Sequence, residues 1–138
     1  LVGSEMCIRD SLYNGMNFFL QRYPHKKNLY IITTKKLLFV HKILDANNID
    51  LIKENIFDTR SGKSKRQIIE DILVERHQSP ENFIFIDDQV DTLLKIKSVG
   101  VQLMLAEWGY NNDEQITKAG EWEIRVLALK DFFQKFDS

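Results

Sequence analysis

Four short apolar runs, each ending in hydroxyl or charged residues and each parted from the next by a helical pattern, constrain this chain most. Leu29–Thr33 (LYIIT), Asn55–Phe57 (NIF), Phe83–Ile86 (FIFI) and Val101–Leu105 (VQLML) read as strands. Unbroken apolar runs, rather than alternating ones, suit strands of a parallel sheet covered on both faces. Between them lie stretches with the spacing of amphipathic helices. Lys36–Ala46 places Leu37, Val40 and Leu44 on one stripe with Ile43 beside it, and Asn47-Asn48 supplies a stop. Ser64–Arg76 opens with S-x-x-Q, a capping box of Ser64 and Gln67, and buries Ile68, Ile69, Ile72 and Leu73. Asp91–Val99 is a helix with Gly100 placed as its left-handed terminator. Asn112–Ala119 and Lys130–Phe136 are shorter helices, Ile124–Leu127 is a further strand, and Asn14–Arg22 is an apolar helix closed by Tyr23-Pro24. Strand and helix in alternation predict an α/β domain, Rossmann-like, with three αβα layers and a mostly parallel sheet.

The 138 residues make one domain. Lys plus Arg is 19 against 20 for Asp plus Glu, a net charge of -1, so no field favours nucleic acid or an anionic membrane as partner. No apolar run approaches the roughly 20 residues that span a bilayer. Cys7 is the single cysteine, which removes disulfides within the chain and Cys-rich zinc sites and makes a cytoplasmic setting the default. Residues 1–11 (LVGSEMCIRDS) have no apolar period and no signal-peptide core. They resemble translated adapter read-through, with a disordered leader as the alternative, and they are set apart from the domain at 12–138.

In parallel α/β sheets ligands bind beyond the carboxyl ends of the strands. There this sequence offers Thr33 and Thr34, then Asp58–Ser64 with Lys63, then Asp87, Asp88 and Asp91, then Glu107–Tyr110. Hydroxyls and an ammonium group suit a phosphoryl group. Adjacent carboxylates suit Mg²⁺, a hard cation with oxygen ligands. Without a cation they repel, and one tends to keep its proton.

In order and spacing these motifs resemble the C-terminal part of a haloacid dehalogenase superfamily hydrolase, near the phosphoglycolate phosphatase-like branch, from Leu12 to Ser138. LYNGMNFFLQRY resembles the return from the cap domain into the core, and IITTK the second family motif. SGKSKRQII resembles the third motif, FIFIDDQVD the fourth, and AEWGYN the loop after the last core strand. The resemblance implies that Thr33, with Thr34 beside it, binds phosphate. It also implies a site lysine, with Lys63 the better match and Lys65 the reserve. It makes Asp87 and Asp88 magnesium carboxylates, with Asp91 a further acidic member. The family's first motif, D-x-D, which carries the aspartate nucleophile, occurs nowhere in the chain. The resemblance therefore implies an incomplete core whose central nucleophile strand, between IITT and FIFIDD, is missing. Its parent would be a Mg²⁺-dependent phosphatase of a small phosphorylated metabolite, working through an aspartyl-phosphate. The chain alone would be marginally stable and without turnover.

Two other readings stand beside this one. Phe57–Ser64 ends in G-K-S before a helix, and FIFIDD resembles a Walker B strand, as in a P-loop nucleotide-binding domain. Phe57, however, stands where that loop needs its first glycine. A non-catalytic interaction module on a phosphatase core is the third. Blander roles also exist for single residues: Thr33 as a strand end, Asp88 as a helix cap, Asp91 as a first-turn acid, Trp108 as packing.

Overall fold

The computed structural model of the protein describes residues 16–34, 36–108 and 112–136. The leader with Cys7, the start of LYNGMNFFLQRY, Lys35 of IITTK and the end of AEWGYN lie outside them. In chain order the described elements are α1 (Met16–Arg22), β1 (Ile31–Thr33), α2 (Leu37–Ala46), β2 (Ile56–Asp58), α3 (Lys65–Glu75), β3 (Ile84–Asp87), α4 (Val90–Ile96), β4 (Gln102–Ala106), α5 (Asp113–Glu121), β5 (Arg125–Leu127) and α6 (Leu129–Phe136).

Every pairing among these strands is parallel. Thr33 lies opposite Asp58, Asp87 opposite Leu105, and Ala106 opposite Leu127. Successive side chains point to opposite faces, so each strand feeds two cores. Ile31, Ile56, Ile86, Met104 and Leu127 pack with Phe19 of α1, Val40 and Leu44 of α2 and Phe132 of α6. Ile32, Phe85 and Leu105 pack with Ile69 and Ile72 of α3, Val90, Leu93 and Ile96 of α4, and Ala119 of α5. The result is three layers, with α1, α2 and α6 on one face and α3, α4 and α5 on the other.

The strands do not form one sheet. β1 and β2 make one, β3, β4 and β5 another, and no bridge joins β1 to β3 among the described residues. The two halves meet through side chains instead. The rings of Tyr30 and Phe83, just before β1 and β3, stack with centroids 6.0 Å apart. This sets the beginnings of the two strands side by side. The seam lies between IITT and FIFIDD, where the sequence implied an absent strand.

Local chemistry explains most boundaries. α3 starts where expected because the capping box forms: Gln67 N–H donates to Ser64 Oγ at 3.2 Å, and Ser64 N–H to Gln67 Oε1 at 2.9 Å. The helix expected over 91–99 instead runs from Val90 to Ile96 and tightens into a 3₁₀ turn at Lys97–Val99. Gly100 follows with φ +94°, the left-handed backbone that ends such a turn. Gln89, rather than Asp88, holds the cap position of α4, and Val90 N–H donates to Gln115 Oε1 of α5 at 3.1 Å. Leu37, expected on the buried stripe of α2, is partly exposed, while Val40 and Leu44 are buried. Among the described residues no helix is long and apolar enough to cross a membrane.

Candidate functional site

Thr33 and Asp87 close β1 and β3, one on either side of the seam, and both are completely buried. Asp88 follows and is buried as well. Three polar side chains withdrawn from water at strand ends need partners or a function.

Asp87 is the centre of the group. Its Oδ2 accepts from Lys65 Nζ at 2.8 Å, in an ion pair with little contact with solvent on either side. Its Oδ1 accepts from the Gln89 amide at 2.9 Å. Burial raises its pKa to about 6, although Lys65 and the Gln89 amide pull it down; the shared side-chain hydrogen bond with Asp88 raises it further.

Lys65 is the first residue of α3, directly after the Ser64 cap, and from there it reaches across to β3. Lys63, the lysine preferred from sequence, stands before the cap and turns the other way. Its Nζ lies 2.6 Å from Asp71 Oδ2 in an exposed pair along α3. The structure therefore brings Lys65 to the strand-end carboxylates and leaves Lys63 outside them. The same geometry weakens the P-loop layout, because Lys63 leans onto Asp71 and the Ser64 hydroxyl is spent on its own helix.

Asp91 also stands apart. It is exposed on the first turn of α4, and Lys118 Nζ of α5 sits 2.9 Å from its Oδ1, holding its carboxyl below the usual range. Among the described residues no three carboxylate or imidazole side chains converge into a metal-binding group. Asp87 and Asp88 alone fit a cation that takes one or two carboxylates and keeps several waters. Thr34 is exposed on the rim, and Trp108 packs on Phe132 with ring centroids 5.5 Å apart.

Beside Lys65 a cavity of about 730 Å³ opens between the start of α3 and the length of α4. Thr34, Lys65, Arg66, Thr92, Lys95 and Ser98 are among its walls. The sequence reading passed over the last three, yet Thr92, Lys95 and Ser98 recur at intervals of three, the signature of one helix stripe. Asp58, at the end of β2 opposite Thr33, was named among the strand-end residues but given no role; its Oδ1 accepts from the Arg60 amide at 2.6 Å.

No family model matches the sequence, and no curated protein matches it. Solved structures do. A haloacid dehalogenase-like family hydrolase from Streptococcus pneumoniae superposes with a TM-score of 0.60 at 17% identity, over 88% of this chain and 57% of that one. A predicted phosphatase from Clostridium acetobutylicum superposes with a TM-score of 0.59 at 16% identity, over 89% of this chain and 58% of that one. The chain thus spans less than two thirds of the length of either. Layers, parallel strands and superposition agree that it carries the α/β fold of the haloacid dehalogenase-like hydrolases.

Proposed function

We propose that this chain is the C-terminal part of a cytoplasmic, Mg²⁺-dependent phosphatase of the haloacid dehalogenase superfamily, of the phosphoglycolate phosphatase-like branch, acting on a small phosphorylated metabolite. The observation that carries the reading is the Lys65–Asp87 ion pair at 2.8 Å, set beside buried Asp88 and across the seam from buried Thr33.

In this reading the Thr33 hydroxyl donates to a phosphoryl oxygen. Lys65 places fixed positive charge where phosphoryl charge sits, which is positioning and electrostatic work. Asp87 and Asp88 would hold Mg²⁺, which when bound offsets the repulsion between phosphate and an anionic nucleophile. The nucleophile is an aspartate on a strand supplied by the parent protein and seated at the seam. It displaces the alcohol and forms an aspartyl-phosphate that water then cleaves. Two features support the missing strand: the chain has no D-x-D, and its two half-sheets do not bridge among the described residues.

The test uses the parent protein with p-nitrophenyl phosphate. Turnover should require Mg²⁺, fall by orders of magnitude in Lys65→Ala and Asp88→Ala, and survive in Lys63→Ala. Near-normal turnover in Lys65→Ala, or turnover by these 138 residues alone, would remove the assignment.

A further inference from the structure

The cavity beside Lys65 has an unusual lining. Of the ten wall residues among the described ones, five carry hydroxyls, three are cationic, two are aliphatic and none is a carboxylate. A chain with a net charge of -1 gives no general reason for such a bias. The second cavity of similar size, between α2 and α3, is lined by Asp58, Asp71 and Glu75 as well as by cations. The positive, hydroxyl-rich lining belongs to one place.

Its cations differ in how they are engaged. Lys65 faces both Asp87 and the cavity. Arg66 donates from Nε to Glu70 at 3.2 Å and from Nη1 to the Lys95 carbonyl at 3.3 Å, which ties α3 to α4 at the cavity wall. The Arg66–Glu70 pair is half-exposed, so exchanging it for a ligand costs little. Lys95 has no ion-pair partner among the described residues. The wall runs from Thr92 of α4 to Ser98 of the 3₁₀ turn that follows it. A volume of about 730 Å³ suits a small-molecule ligand, and half-buried Leu94 offers an apolar contact for its carbon skeleton.

We infer that the groove between α3 and α4 binds a second anionic group of the ligand, so that the substrate class is a phosphate ester or anhydride with two charged ends. One end lies at Thr33 and Lys65, the other at Lys95 and Arg66. This rests on the phosphoryl site proposed above and adds a specificity site on the core itself.

The test takes the parent protein in chelator, with inorganic pyrophosphate as the two-group probe and orthophosphate as the one-group probe, followed by amide chemical shifts and calorimetry. Pyrophosphate should bind at least tenfold more tightly, weaken with added salt, and shift Thr92, Lys95 and Ser98. In Arg66→Ala/Lys95→Ala, both exposed and remote from the core, that advantage should vanish while orthophosphate binding is unchanged. Equal affinity for the two probes, or an advantage that survives in the double variant, would overturn the groove. Orthophosphate shifts at Thr33 and Lys65 without pyrophosphate shifts along α4 would retain the phosphoryl site and remove only the groove. Pyrophosphate shifts along α4 without orthophosphate shifts at Thr33 would leave an anion groove but overturn its link to the phosphoryl site.

Discussion

Lys65 Nζ and Asp87 Oδ2 sit 2.8 Å apart, joining the first turn of α3 to the last residue of β3. Breaking a buried pair leaves an uncompensated charge, which costs far more than the pair itself contributes. Lys65→Met should therefore destabilise the chain by roughly 3 kcal/mol at pH 8, and by less at pH 5, where Asp87 takes up a proton. Lys63→Met removes only an exposed pair and should leave the urea midpoint unchanged. Urea unfolding at both pH values checks this; equal loss in the two variants would contradict the placement of Lys65.

Asp87 makes a separate pH prediction. Its folded pKa, about 6, lies above the ordinary value of 3.8. Between those values the folded chain holds a proton that the unfolded chain has released. Stability from this group is therefore highest below about pH 4, declines as pH rises to about 6 and is level above it, a total of roughly 3 kcal/mol. In chelator, the stability of Asp87→Asn relative to the native chain should rise over that window and then flatten. A difference independent of pH would show that Asp87 titrates normally.

The α3 cap has a plain magnitude. Ser64→Ala removes the hydroxyl that accepts the Gln67 amide and should cost about 1 kcal/mol, read from the urea midpoint. Ser64→Asp keeps an acceptor and should retain most of the stability.

Phe132 is the hub of an aromatic cluster, with ring centroids 5.0 Å from Phe19 and from Phe136 and 5.5 Å from Trp108. Phe132→Ala should cost about 4 kcal/mol and expose α1 and α6 to amide exchange before α3 and α4. Uniform loss of protection would show that the two layers are not energetically distinct.

The parts of the fold set by local chemistry were legible. FIFI can hardly be anything but a covered strand, Ser64 and Gln67 write the start of α3, and Gly100 marks the end of the 3₁₀ turn that follows α4. Thr33, Asp87 and Asp88 stand at strand ends as the sequence placed them. The resemblance made Lys63 the better match and Lys65 the reserve, although the capping box already put Lys63 before the helix and Lys65 on its first turn. Asp91 follows two carboxylates in sequence, but one helical turn carries it to the surface and to Lys118. The groove stayed hidden because its walls come from α3, α4 and the ends of β1 and β2, which no single window of sequence contains. The Gln115 bond to α4 escaped for the same reason.

Thr33 and Asp87 belong to different sheets, and no backbone ladder joins those sheets among the described residues. A ladder of peptide bonds fixes spacing to a fraction of an ångström; interdigitated Ile32, Tyr30, Phe83 and Phe85 permit sliding without rupture of any bridge. The jaw formed by these two strand tips is thus adjustable in width, and an inserted strand would act as the wedge that sets its calibre.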